Sequence, residues 1–176
     1  MTERVFLVGP MGAGKTAVGR QLARRLGLPF EDADAWLEKR TGVDIAYIFE
    51  KEGEDGFRRR ERRAIDTLTQ RDPIVLSTGG GAVMRPANRR RLAERGIVVY
   101  LHTTVDQQWQ RVRHSLHRPL LRQEDPKGVL TALFDLRHPL YLGLADIVVD
   151  TDGAKVPAVA DHIADVLRTH HGFCPA

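Results

Sequence analysis

Gly9-Pro10-Met11-Gly12-Ala13-Gly14-Lys15-Thr16 fits the pattern G-x-x-x-x-G-K-[ST] at every fixed position. Immediately before it runs Val5-Phe6-Leu7-Val8, a short apolar stretch of the kind a buried strand shows. Immediately after it, Val18, Leu22 and Leu26 recur every four residues, which is helical spacing. Strand, glycine-rich turn and helix in that order give the pattern a physical meaning. The glycines leave room for backbone N–H groups to wrap a polyphosphate, and the helix N-terminus adds the positive end of its dipole. Lys15 then reaches the outer phosphates, and the Thr16 hydroxyl can ligate Mg²⁺. The competing reading, a glycine-rich connection that binds nothing, explains neither the lysine nor the threonine.

Outside that stretch, short apolar runs alternate with helical patterns to the end of the chain. Leu28-Pro29-Phe30, Pro73–Ser77, Ile97–Leu101 and Ile147–Val149 read as further strands. Helices are expected after the glycine-rich stretch up to a stop at Gly27, and over Ala35–Arg40, Asp44–Lys51, Glu54–Gln70, from Pro86 to Gly96, Val105–Arg113, Val129–Arg137 and Val156–Arg168. Five strands alternating with helices predict an α/β fold, a three-layer sandwich whose five-stranded parallel sheet is covered on both faces. Ser115–Lys127, with two prolines and mixed charge, reads as a mobile loop, and the tail from Thr169 as frayed.

The length of 176 residues suits one domain with a substantial core. No apolar run approaches the roughly 20 residues of a membrane span, and the first strand begins too early for a signal peptide. The lone Cys174 has no intrachain partner, which fits a reducing cytoplasm. A net charge of +4 raises nucleic acid as a partner. Yet the arginines of Arg58–Arg63 and Arg89–Arg91 are interrupted at helical spacing by acids and apolar residues, so a solvated helix face is the better default.

Ligands of parallel sheets bind beyond the C-terminal strand ends. The first three strands deliver Gly9–Thr16, Asp32 with Asp34, and Gly79-Gly80-Gly81 to that edge. Extended spacing of two would aim both aspartates to one side, Asp32 toward a metal and Asp34 toward an acceptor hydroxyl. The alternative for Asp34 is an N-cap for the helix that follows. Phe57, Glu61, Ala64, Ile65 and Leu68 share one helix face, so Glu61 points inward, where an unpaired carboxylate is costly. Arg58, three residues earlier, is placed to pair with it and to be held for a small anion. Three consecutive glycines admit close approach to the backbone. Arg118 on a closing loop suits a transferring phosphoryl group, and Arg111 faces the nucleotide side. Arg137 is either a second anion-binding arginine or a charge favouring a helix C-terminus. His114 and His117 lack the partners of a zinc site.

GPMGAGKT, the D-A-D after the second strand, EKRTG, GFRRRE, STGGGAV, RPLL and R-x-P-L-Y together resemble the shikimate kinase family from Val5 through the last helix. The resemblance implies a phosphate-loop kinase with a mobile lid that phosphorylates the 3-hydroxyl of shikimate with ATP and Mg²⁺, a step toward the aromatic amino acids. It implies one kinase domain over 1–170, with substrate helices at about 33–62, a lid at about 114–127 and a disordered tail at 171–176. Lys15, Asp34 and Arg118 become the catalytic set. Gly12, Ala13, Gly14, Lys15, Thr16, Ala17, Arg111 and Arg118 fall on the ATP side, and Thr16 and Asp32 on the Mg²⁺ side. Asp34, Arg58, Gly79, Gly80, Gly81 and Arg137 match the shikimate contacts. A monomeric cytoplasmic enzyme without nucleic-acid or membrane partners is expected. A gluconate or nucleoside monophosphate kinase is the nearest rival. A GTPase fits poorly, because the only asparagine, Asn88, is followed by arginine rather than by the lysine of N-K-x-D.

Overall fold

A computed structural model of the chain describes residues 3–114 and 122–173. Strand β1 (Arg4–Val8) contains the Val5–Val8 run, and all four side chains are fully buried. Val5 and Leu7 face one core layer and Phe6 and Val8 the other, the period of two that a pleated strand imposes. A strand covered on both faces has no wet side, hence the unbroken apolar run.

Strands β2 (Phe30–Asp32), β3 (Ile74–Ser77), β4 (Ile97–His102) and β5 (Ile147–Asp150) complete a parallel sheet in the order β2-β3-β1-β4-β5. Leu7 lies beside Ser77 on one side and Val99 on the other. Helices α1 (Lys15–Leu26) and α7 (Val156–His170) cover one face. The other face is covered by α3 (Ile45–Leu68), α4 (Pro86–Arg95) and α6 (Pro126–Leu144). Helix α2 (Ala33–Thr41) packs with α3 over a small cluster of Leu37, Ile48, Phe57 and Ala64, and α5 (Val105–Val112) follows β4. The expected three-layer α/β sandwich is therefore present. The chain leaving β1 enters α1 on one face, whereas the chain leaving β3 passes through a 3-10 turn, Ala82–Met84, into α4 on the other. Neighbouring strands that diverge in this way open a crevice between their ends. No helix among the described residues is long and apolar enough to cross a membrane.

Several boundaries differ from the sequence reading, each for a physical reason. Helix α2 begins at Ala33, because the Asp32 side chain accepts from the Asp34 and Ala35 amides and caps it two residues early. The expected break between two helices is present within α3, where Gly53 (φ 69°, ψ −176°) kinks the chain between its two helical halves. Helix α6 does not stop at Arg137 but continues through Pro139 to Leu144. A mid-helix proline costs about 3 kcal/mol, and the burial of Leu130 and Tyr141 on the inner face of the helix offsets that cost.

Among the described residues, which end at Phe173, the expected fraying from Thr169 is also absent. Helix α7 runs on to His170, the left-handed Gly172 (φ 62°) turns the chain back, and the Phe173 amide donates to Leu167 O at 3.1 Å. Phe173 is only 4% exposed and packs in the α1/α7 core layer. Phe173→Ala is expected to lower the unfolding free energy in urea by about 3 kcal/mol. A loss under about 0.5 kcal/mol would show that this ring adds nothing to the core.

Candidate active site

The turn after β1 is built for an anion. Gly9 has φ 149°, and a Cβ there would sit 2.6 Å from Leu101 O, so only glycine brings the loop this close to β4. Gly14 (φ 86°) begins α1 in left-handed conformation without a side-chain cap. By contrast α2, α3, α5 and α6 are capped by Asp32, Asp44, Thr104 and Asp125, and α4 and α7 carry a proline in the first turn. The uncapped first turn of α1 lines a cavity of about 580 Å³ at the β1/β3 crevice, the arrangement that binds phosphate. Lys15 Nζ donates to Gly9 O at 2.7 Å and Pro10 O at 2.8 Å, which holds its charge at the mouth of the loop.

The Thr16 hydroxyl donates to Asp32 Oδ2 at 2.7 Å, while Oδ1 of the same carboxylate caps α2. Asp32 is thus the N-cap, the role sequence reasoning had considered for Asp34. The extended-spacing argument for the pair fails, because Asp34 is already helical. Asp34 nevertheless lines the same cavity. Burial, followed by repulsion from Glu61 and Asp32 and partly opposed by Lys15, pushes its carboxyl up to about 6.

Across the cavity, Glu61 is 2% exposed and accepts from Arg58 Nη1 at 2.8 Å, as helical spacing had indicated. Burial pushes the Glu61 carboxyl up, against the pull of Arg58. The exposed Glu54 accepts a second, longer bond from Arg58 at 3.4 Å. Arg59, Arg62 and Arg63 are exposed, and Arg60 pairs with Glu52. The glycine triplet turns out to make room chiefly for protein side chains. A Cβ on Gly81 would collide with the Arg58 guanidinium, and one on Gly79 would lie 2.9 Å from Glu61 Oε2 and 3.3 Å from Asp34 Oδ1. Arg137 is buried mid-helix, which removes the helix C-terminus reading. Burial, with repulsion from Arg58, holds its pKa below the usual arginine value. Its Nε is buried without a hydrogen-bond partner, as is Glu61 Oε2. Two buried guanidiniums with an unfilled donor make this end of the cavity receptive to a small anion.

Arg111 links the phosphate loop to the β5–α7 turn, donating to Gly12 O at 2.7 Å and Thr151 O at 3.1 Å. Asp152 in that turn accepts from the Thr103 hydroxyl at 2.5 Å and the Thr104 amide at 3.2 Å. Arg118 lies outside the described residues, and so does much of the expected lid around it. Sequence reasoning missed the cavity-lining Phe49, whose ring meets Phe57 at 4.7 Å, and Tyr141, whose hydroxyl donates to Gly80 O at 2.5 Å. Tyr141 was legible only as the residue one turn after Arg137, and only if α6 were known to pass Pro139.

An uncapped helix N-terminus, a cationic loop and an anion-receptive far wall in one cavity define a phosphate-loop kinase acting on a small anionic acceptor. The sequence model of the shikimate kinase family matches residues 11–168. The shikimate kinase of Halorhodospira halophila is 56% identical over 94% of this chain and 94% of its own, and that of Pasteurella multocida 53% identical over 97% and 98%. The solved structure of shikimate kinase from Acinetobacter baumannii in complex with shikimate superposes with a TM-score of 0.94 at 46% identity, covering 96% of this chain and 94% of that one. The chain belongs to the shikimate kinase family. It is an enzyme that uses ATP to phosphorylate shikimate.

The raised Asp34 carboxyl has a stability consequence whose sign is fixed. The folded state prefers the protonated acid, so the contribution is fully present below the ordinary value of 3.8 and is lost as pH rises through about 6. Asp34→Asn is therefore expected to unfold at higher urea than the parent at pH 7.5, by about 1–2 kcal/mol, given that the side chain keeps some solvent contact. The gain should vanish toward pH 4. An equal gain at both pH values would rule out the electrostatic origin.

Proposed function

We propose that the cavity holds ATP at the α1 end and shikimate at the Arg58/Arg137 end, with transfer to the 3-hydroxyl in line between them. The observation that carries this reading is the pair of buried arginines, one fixed by Glu61 and one with an unfilled donor, in the same cavity as the uncapped α1 turn. A cyclic carboxylate satisfies the arginines, and its hydroxyls reach the carboxylate of Asp34. The residues Gly12–Ala17 wrap the phosphates through backbone N–H groups. Lys15 exchanges its two loop carbonyls for phosphate oxygens and so follows the charge as it moves. Asp34 orients the acceptor hydroxyl and takes its proton, for which a carboxyl near 6 is better suited than an ordinary one. Gly79, Gly80 and Gly81 bring backbone groups against the ring, Arg111 borders the nucleotide, and Arg118 completes the set from the lid.

Thr16 Oγ1 and Asp32 Oδ2 are hard oxygen donors held together at the mouth of the phosphate loop, a pair that fits Mg²⁺. Among the described residues no cluster of three or more His, Cys, Asp or Glu forms a protein-only metal cage. Mg²⁺ needs none, since it keeps waters and phosphate oxygens as ligands. Held by Thr16 and Asp32, it would supply positive charge that neutralises the phosphates. We further read the enzyme as a cytoplasmic monomer of one kinase domain without nucleic-acid partners. The exposed arginines of α3 stand on a mixed, solvated face.

The direct assay offers shikimate, gluconate and nucleoside monophosphates in turn and follows ADP formation above background hydrolysis. Shikimate alone is expected to support turnover. Arg58→Lys tests the clamp, because an ammonium loses the bidentate fit to carboxylate. Calorimetry should show shikimate binding weakened by about tenfold or more and ATP binding nearly unchanged. Equal loss of both affinities would reject the carboxylate assignment.

A further inference from the structure

The two arginines at the shikimate end are held in different ways. Arg58 has a carboxylate, Glu61, at 2.8 Å. Among the described residues no carboxylate pairs with Arg137, and its Nε is buried without a partner. The Arg137 guanidinium lies instead against the glycine loop, where a Cβ on Gly80 would sit 3.5 Å from Nη1. One turn further along α6, on the same helix face, Tyr141 donates from its hydroxyl to Gly80 O at 2.5 Å. The Tyr141 hydroxyl also interacts with the Arg137 guanidinium.

We propose that Tyr141 is a positioning residue for the acceptor substrate, its hydroxyl fixing the Gly80 backbone and the adjacent Arg137 guanidinium in the geometry that receives the carboxylate. The proposal rests on the assignment of Arg137 and the glycine triplet to shikimate. Tyr141 does not touch substrate in this scheme and takes no part in proton transfer. Its ring is fully buried and stacked on Tyr100, with centroids 4.9 Å apart, so the hydroxyl has little freedom to choose another acceptor. Burial pushes the phenol up to about 12, so it stays a donor throughout the working range of the enzyme. The effect of losing it is therefore independent of pH between 6 and 9. Tyr100 serves as the internal comparison. It belongs to the same stack, but its hydroxyl meets His138 Nδ1 at 2.8 Å and not the glycine loop.

Tyr141→Phe keeps the ring and removes only the hydroxyl, leaving Gly80 O unsatisfied. The expected result is a KM for shikimate raised by about tenfold, with kcat and the KM for ATP each changed by less than about twofold. The same ratio should appear at pH 6.5 and pH 8.5. Tyr100→Phe, with a similar packing change, should leave the KM for shikimate within about twofold of the parent. An unchanged shikimate KM in Tyr141→Phe, or equal rises in the two Phe variants, overturns the proposal, the latter by showing a general loosening of the stack. Loss of kcat and of both affinities together, with a lowered melting temperature, likewise overturns it in favour of a purely structural role. Arg137→Lys is assayed in parallel. If that variant leaves shikimate binding intact, the site assignment itself falls and the positioning role with it. If Arg137→Lys weakens binding and Tyr141→Phe does not, only the positioning role falls.

Discussion

Two guanidiniums buried in one cavity are the constraint that the acceptor half of this structure is arranged to meet. An arginine taken out of water without a partner costs several kcal/mol, and two of them also repel. The repulsion registers in Arg137, whose pKa is depressed by burial and by Arg58. The fold meets the constraint in three ways. Glu61 sits at 2% exposure, where only an adjacent cation makes a carboxylate tolerable, and binds Arg58. Gly81 and Gly79 omit the Cβ atoms that would otherwise collide with Arg58 and crowd Glu61 and Asp34. Arg137 is left with an unfilled donor against Gly80, so the arrangement is complete only when an anion arrives. Removing one member of a buried pair typically costs about 3–5 kcal/mol. The pieces are therefore interdependent, and the glycine triplet is better understood as space for arginines than as space for ligand alone.

The donor half follows the opposite logic, with charge offered rather than compensated. Among the described residues, six of the seven α-helices begin with a side-chain cap or a proline in the first turn. α1 begins with a left-handed glycine and Lys15, and so leaves its first amides to a ligand. Omitting a cap typically costs about 1 kcal/mol. Two loop carbonyls on Lys15 and a threonine hydroxyl on Asp32 keep the polar groups occupied until phosphate takes their place. Neither half of the cavity is at its most stable in isolation, as expected of a surface built to bind.

What could be read from the residues depended on how local the cause was. The phosphate loop is legible because one turn supplies its whole geometry. Strands β1, β3 and β4 are legible because double burial writes an apolar run, whereas the half-buried edge strand β2, Phe30-Glu31-Asp32, was read two residues early. Glu61 and Arg58 were legible because helix periodicity alone puts a carboxylate on an apolar face with an arginine one turn away. The failures share a different feature. The path of α6 through Pro139 is decided by tertiary packing of Leu130 and Tyr141, and local proline chemistry points the other way. Asp34 looked like a cap and Asp32 like part of an extended pair, because the end of a three-residue edge strand is not fixed by three residues. Phe173 looked like tail because the α1 side of its core layer lies far off in sequence. Asp152 and Tyr141 bond to residues 48 or more positions away, a distance over which no spacing rule operates.

Asp34 shows why these halves must meet at one residue. It stands between Lys15 of the donor loop, which favours its ionised form, and Glu61 of the acceptor clamp, which opposes it. Glu61 cannot be exchanged for an apolar residue to make Asp34 ionise more easily, since Arg58 would then keep only its longer bond to the exposed Glu54. The carboxylate that holds Arg58 therefore adds to the effect of burial in raising the Asp34 carboxyl. In the proposed arrangement a substrate carboxylate would stand beside Arg58 and Arg137 and phosphates beside Lys15, with Asp34 lining the same cavity. Electrostatics shared across 27 residues of sequence, from Asp34 to Glu61, thus tie the two halves of the cavity together.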